Sequence, residues 1–263
     1  RDLSNRDLSG ANLSGANLYG VNLDNTDLSG ADLSYTVLYK ATLANTDFTH
    51  ANLSYTNMCG ATNPVVKGVG SSLWPGGTYH EPKYLTFDFT GTDMSYADFD
   101  HAQIQHAILT DAIVKHTNFH DANLEGVDLS YKDLTGTVLT EADLTGANLS
   151  GVDLSGKDLT NANLSGVDLS DKDLTGTILK GADLTDVVLP SDYSLSEKNF
   201  QKTIFDGINL SGKDISKSSL WDTSFKNTNL KNVNLSFADL MASDLTEIKN
   251  KSLAGSDLSN TSF

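Results

Sequence analysis

A large apolar residue returns at every fifth position along almost the whole chain, and this period decides what the chain can fold into. These residues run without a break from Leu3 to Met58, from Phe89 to Leu189 and from Phe200 to Leu245. In most units a small residue or threonine stands two positions before the large residue, and Asp or Asn stands one position before it. A period of five matches neither the 3.6-residue period of a helix nor the two-residue period of a strand.

The composition of the repeat also argues against long helices. Gly, Asn, Asp, Ser and Thr are abundant, and these residues disfavour a helix interior. Each unit is therefore predicted to be a short extended segment followed by a turn. The large residue and the residue two before it lie on the same side of such a segment, so both should point inward, while Gly, Ser and Asn form the corner.

The units Ala11–Gly15 and Ala147–Gly151, both ANLSG, resemble the A-(D/N)-L-x-x motif of the pentapeptide-repeat family. The resemblance implies an all-β fold, a right-handed quadrilateral (four-sided) parallel β-helix or solenoid with four units per coil. The chain would hold about 11–12 coils, with neighbouring rungs about 4.8 Å apart. We expect one domain over residues 1–263.

Residues 20 apart should stack on neighbouring coils of such a fold. This spacing joins Tyr19 to Tyr39 and Tyr35 to Tyr55, and it places three carboxylates in one column: Asp133, Asp153 and Asp173. All seven residues are candidates for binding a protein partner. The acidic column has two interpretations, a solvated face that keeps the protein in solution or a face that imitates the charge of duplex DNA.

Three stretches break the period. Residues 61–83 contain Pro64, Trp74 and Tyr79 and are predicted to form a long inserted loop. That loop is either a tolerated surface insertion or a recognition loop, with Trp74 as its anchor and Tyr79 as a second candidate contact. Shorter register slips are expected near residues 190–196 and 246–250.

Two lysines, Lys157 and Lys172, stand at the position that usually holds a small inward residue. A buried ammonium without a partner is costly. We therefore expect each lysine stem to lie along the wall of the coil, with its head leaving at the corner near an aspartate.

Composition and charge exclude several function classes. The formal net charge is −16 and no basic stripe is present, which excludes direct binding to nucleic acid phosphates. No apolar run is long enough to span a membrane, and a single cysteine, Cys59, favours a reducing, cytoplasm-like compartment or an intracellular assembly. No catalytic, phosphate-binding or zinc motif appears, so no cofactor and no enzymatic activity are expected. Stacking of Asp100 with His120 and of His101 with Asp121 leaves open a metal site or a surface ion-pair cluster.

We predict a non-enzymatic structural or protein-interaction scaffold that is held within a larger assembly. The alternative that the family resemblance implies is a DNA-mimic protein that binds a type II topoisomerase and protects gyrase. The chain opens inside a repeat and closes on one, so we expect flanking residues, a partner or a second copy to cover the open coil ends.

Overall fold

The computed structural model describes residues 1–61 and 87–262, which belong to two compact units, Arg1–Asn118 and Phe119–Phe263. Within these ranges the extended segments are single parallel bridges, and the one helix is a 3-10 turn at Lys249–Lys251. The organisation of residues 1–263 as one domain stays a prediction.

Four pentapeptides make one coil in the first unit. Parallel bridges join residues 20 apart on four successive segments: Asp2 with Asn22, Asp7 with Asp27, Asn12 with Asp32, and Asn17 with Val37. The next bridge, between Asn22 and Thr42, returns to the first segment. We number the sides of this unit faces 1 to 4 after the segments that contain Leu3, Leu8, Leu13 and Leu18. The second unit repeats the same spacing, for example between Asn123 and Asp143.

Each corner is a four-residue turn closed by a backbone hydrogen bond. The Ala11 N–H donates to the Leu8 carbonyl at 3.0 Å, and Gly10, at the third position of the turn, has a φ of 64°. This turn geometry requires a positive φ at that position, which glycine adopts without a Cβ penalty. Other corners hold larger residues in the same conformation, such as Asn25 and Tyr35, each with a φ of 58°.

The Asp or Asn before the large residue stabilises the turn. Oδ1 of Asp7 accepts hydrogen bonds from the Ser9 N–H at 3.1 Å and the Ser9 hydroxyl at 2.7 Å. Oδ1 of Asn12 accepts from the Ser14 N–H at 3.0 Å in the same way. These are Asx turns, which explains why the repeat requires Asp or Asn at this position. The Ser9 hydroxyl and then the Ser9 N–H hold the pKa of Asp7 below its ordinary value.

The inward positions form a dry core with satisfied polar groups. Leu23, Leu33 and Leu43 are fully buried. Where threonine replaces the small residue, its hydroxyl donates to the carbonyl of the large residue 23 positions earlier. Thr36 reaches the Leu13 carbonyl at 2.9 Å in this way. A buried hydroxyl with a partner avoids the cost of an unpaired polar group.

The two lysines in the inward position behave differently from each other. The Lys157 ammonium donates to the Leu134 carbonyl, the type of acceptor that threonine hydroxyls use elsewhere. The Lys172 side chain is only 2% exposed, and its ammonium lies 2.9 Å from Oδ1 of Asp171. The prediction that the lysine heads leave the wall is therefore wrong for Lys172, because the corner carboxylate compensates its charge inside the wall.

The ladder keeps its order across the breaks in the period. Asp47 bridges Asp88, and the predicted loop at 61–83 lies outside the described residues apart from Ala61, which is buried. Asp183 bridges Ile204, 21 residues away, and Asn234 bridges Asp257, 23 residues away.

The slip near residues 190–196 contains a repeat unit of its own. Leu195 is 1% exposed and occupies an inward centre, so the period counted from the sequence missed one unit there. Tyr193 stands two positions before Leu195, where the repeat normally has a small residue. One additional residue precedes this unit, which accounts for the bridge spacing of 21.

Candidate interaction surfaces

Four rings stack along one corner of the first unit, at the third turn position that follows face 3. We call this set the aromatic row: Tyr35, Tyr55, Tyr96 and His116. Successive ring centroids are 4.8, 4.9 and 4.6 Å apart, with interplanar angles of 5°, 3° and 6°. The spacing follows from the ladder, because neighbouring strands lie about 4.7–4.9 Å apart, close to the contact distance of stacked rings. The three tyrosines remain exposed by about half, from 48% to 62%.

The sequence located only half of this row. Tyr35 and Tyr55 were paired by their spacing of 20, whereas Tyr96 follows Tyr55 by 41 residues. The stretch between Met58 and Phe89 is one residue longer than six units, and correcting for that residue would have found Tyr96 and, after it, His116.

A second pair of rings lies on the next corner of the same unit. The Tyr19 and Tyr39 rings are 5.6 Å apart at an interplanar angle of 30°, and Tyr19 is 56% exposed. The Lys40 ammonium lies 5.1 Å from the centre of the Tyr39 ring, which adds a cation–π contact. Face 4 therefore has an aromatic edge on either side.

Face 2 of the first unit carries a column of carboxylates that sequence reasoning missed. We call it the acidic row: Asp7, Asp27, Asp47 and Asp88, which are bridged in succession. The hydrogen bonds described for these side chains use Oδ1, as at Asp47, which accepts from the Thr49 N–H at 2.8 Å and from its hydroxyl at 2.7 Å. The spacings of 20 and 41 in the sequence were sufficient to find this row.

In the second unit, Asp133, Asp153 and Asp173 lie on one face, and no bridge joins them in the part of the chain that the structure describes. The Thr175 hydroxyl and N–H lower the pKa of Asp173, and the charge of Asp153 opposes that shift. Burial lowers the pKa of Lys157, while Asp153 and Asp133 raise it. The lysine therefore compensates part of the charge of this column.

The remaining candidates add little to these surfaces. Trp74 and Tyr79 lie outside the described residues. Asp100 lies 3.5 Å from His101, and burial, followed by the charge of Asp100, raises the pKa of the Cys59 thiol. Within residues 1–61 and 87–262, no group of three or more His, Cys, Asp or Glu side chains is placed to hold a metal ion. The same ranges contain no helix of the length and hydropathy that crossing a membrane requires.

Comparison with known families gives a match over most of the chain. The sequence model of a family described as pentapeptide repeats matches in eight copies, over residues 2–34, 26–62, 87–113, 117–156, 158–189 and 209–246. A search of curated proteins gives no match.

Several solved structures resemble the chain at low identity. HetL, a pentapeptide-repeat protein involved in heterocyst differentiation regulation in the cyanobacterium Nostoc sp. strain PCC 7120, is 23% identical over 92% of each chain, with a TM-score of 0.42. A trypsin-treated form of QnrB1, a plasmid-mediated fluoroquinolone resistance protein, is 15% identical over 97% of this chain and 87% of its own, with a TM-score of 0.35. A thylakoid-lumen pentapeptide-repeat protein of Arabidopsis thaliana is 21% identical over 62% and 72%, with a TM-score of 0.14. These TM-scores are low, so the family assignment rests on the repeat match.

Proposed function

Because this chain belongs to the pentapeptide-repeat family, whose members fold as right-handed quadrilateral β-helices, we propose that it is a non-enzymatic protein-interaction scaffold. The observation that supports this proposal is the arrangement of exposed side chains in rows fixed by the backbone ladder. The aromatic row and the acidic row each repeat one chemical group at the ladder spacing. Such rows suit an extended contact with another protein, whose identity this proposal leaves open.

The carboxylates of the rows are poorly suited to acid–base catalysis. Hydrogen bonds from the Ser9 side chain and backbone lower the pKa of Asp7, and the Ser155 hydroxyl and N–H do the same for Asp153. A general acid or base works best with a pKa near the working pH, which these carboxylates move away from. Their fixed negative charge instead favours a partner with a basic surface, and the contact should weaken as salt is raised.

The experiment compares capture of partners by the wild-type chain and by two row variants. Asn replaces all four aspartates of the acidic row in one variant, and Tyr35, Tyr55 and Tyr96 in the other. Asn makes the same turn hydrogen bond as Asp, as Asn12 shows, and tolerates positive φ, as Asn25 shows. The matched control carries Asp→Asn at Asp128 and Asp168 in the second unit.

We expect a partner that the wild-type chain and the control retain, and that at least one row variant loses. Retention that falls with salt for the wild-type chain and not for the acidic-row variant would identify the charge contribution. Equal retention by all four proteins would contradict the proposal. Separate substitution of Trp74 and Tyr79 by Ala tests the predicted loop contacts, and light scattering tests end-to-end or homo-oligomer contacts.

A second candidate function is DNA mimicry toward a type II topoisomerase, which the acidic row favours. One DNA strand carries a charge about every 3.4 Å along the axis. A column of carboxylates on a β-ladder carries one about every 4.8 Å. The lower charge density is the reason why mimicry stands second. Protection of gyrase supercoiling from a quinolone by the wild-type chain, lost in the acidic-row variant, would support it, and inertness of the wild-type chain would exclude it.

A further inference from the structure

A cavity of about 650 Å³ opens in the second unit between residues 170–175 and residues 190–198. Its cause lies in the register slip, where Tyr193 occupies the inward position that Val152 and Val233 occupy elsewhere on this face. A tyrosine is too large for that position. No bridge joins Asp173 to the slip segment in the described part of the chain, and the two segments stand apart. The volume lies within the range of small-ligand sites, about 300–1,000 Å³.

A buried ammonium lines this cavity. The Lys172 side chain is 2% exposed, and within the described residues its one partner is Asp171, at 2.9 Å. An ammonium has three N–H donors. Two of them have no acceptor among the described residues, and a buried donor without an acceptor costs free energy. The cavity therefore has room and donors for an oxygen acceptor from a ligand.

The charge balance decides which kind of acceptor fits. Asp171 already neutralises Lys172, so a carboxylate or phosphate would add an uncompensated negative charge in a chain whose net charge is −16. A neutral hydroxyl or ether oxygen accepts the same hydrogen bonds without that cost.

The rest of the lining complements hydroxyl groups and a C–H surface. The carboxylates of Asp173 and Asp192 can accept hydrogen bonds from ligand hydroxyls, which are stronger for a charged acceptor. The ring of Tyr193, with Leu174 and Pro190, provides the apolar part of the wall. Lys198 closes one side, with its ammonium 5.9 Å from the centre of the Tyr193 ring.

We propose that this cavity binds a saccharide, whose hydroxyls satisfy Lys172 and the two carboxylates while its C–H face packs on Tyr193. A sugar combines acceptors, donors and an apolar face without net charge, which is the combination that this lining requires. The site gives the protein a small-molecule ligand in addition to the proposed protein partner, and it is independent of the rows of the first unit.

The test is saturation-transfer NMR on the full chain with maltose, cellobiose and chitobiose as probes, and with free arginine and free glutamate as zwitterionic comparisons. We expect transfer to at least one disaccharide and none to the amino acids. Lys172→Met keeps the stem and removes the donors, and Tyr193→Val introduces the residue found at Val152. Each should weaken binding about tenfold or more, the loss expected for one good polar or apolar contact.

Two further variants keep the test decisive if core substitutions unfold the protein. Asp192→Ala changes an exposed lining residue and should also weaken binding, whereas Glu125→Ala changes an exposed acid outside the lining and should not. Absence of transfer to all three disaccharides, equal binding by Asp192→Ala and the wild-type chain, or transfer to the amino acids alone would overturn the proposal. Partner capture by the rows of the first unit would be unaffected by any of these outcomes.

Discussion

At the scale of single residues, the inward position before each large residue accepts more than small side chains. Alanine and valine fill it without polar groups, and threonine fills it by donating to the carbonyl of the preceding coil, as Thr177 does to Leu154 at 2.7 Å. Lys157 uses the Leu134 carbonyl in the same manner. The requirement of the position is therefore chemical as well as steric, since a polar side chain must reach a carbonyl acceptor or a counter-charge.

Replacing Lys157 by threonine should stabilise the protein. Thr137 and Thr177 occupy the same position on the neighbouring coils, and a threonine can bond the Leu134 carbonyl without burying a charge. Burial is the main cause that lowers the pKa of Lys157, which indicates that the ammonium is disfavoured there. We expect a gain of about 1 kcal/mol and a rise of about 2–4 °C in the melting temperature, measured by circular dichroism. Lys157→Ala, which leaves the carbonyl without a donor, should be less stable than the threonine variant; the reverse order would contradict the argument.

At the scale of the repeat unit, the corner converts a local turn into an ordered surface. The turn needs a residue with positive φ, and three tyrosines of the first unit accept that conformation: Tyr35, Tyr55 and Tyr96. Their rings gain contacts with the coils on either side, which offset the unfavourable backbone conformation. The aromatic row is thus held by interactions between coils, and its members depend on one another.

Tyr55→Asn should destabilise the first unit. Asn suits positive φ, so the substitution removes the two ring contacts of Tyr55 at 4.8 and 4.9 Å and relieves the backbone. Each ring contact contributes about 0.5–1.5 kcal/mol, and we expect a net loss of at least about 1 kcal/mol by urea unfolding. The matched control is Tyr131→Asn, since Tyr131 has a φ of 57° and a side chain that is 83% exposed. Equal effects at the two positions would show that ring stacking does not stabilise the row.

At the scale of the whole molecule, the same turn repeats along both units and makes their stability depend on ionised aspartates. Hydrogen bonds from the serine or threonine two residues later lower the pKa of Asp7, Asp153 and Asp173, and of others in the same position. The high negative charge acts in the opposite direction, because protonation relieves repulsion between carboxylates. The turn hydrogen bonds are local and present at many corners, so we expect them to dominate.

Acid should therefore destabilise the protein. A carboxylate with a lowered pKa in the folded state binds fewer protons there than in the unfolded chain, so its contribution is complete above about pH 3.9 and is lost as the pH falls through the folded pKa. We expect similar urea midpoints at about pH 7 and pH 5, and a lower midpoint at about pH 3. A midpoint that rises at pH 3 would show that charge repulsion outweighs the turns.

The five-residue period predicted most of the fold, because the information it carries is local. Each unit states its own inward residue, its turn and its Asx cap, so the four-unit coil and the stacking of Tyr35 on Tyr55 could be read from spacing alone. The unit centred on Leu195 was missed because one added residue interrupts the count, even though the backbone resumes the same coil.

The sequence by itself determined the coil, the inward leucines and the corners, since these depend on neighbours within five residues. The tertiary structure decided which corners meet across coils, because pairing between coils depends on every residue added or removed in between. It therefore extended the aromatic row to Tyr96 and His116. It also buried Lys172 beside Asp171 and opened the cavity at Tyr193, since burial follows from how closely two coils approach, and an oversized inward residue changes that approach without altering the period.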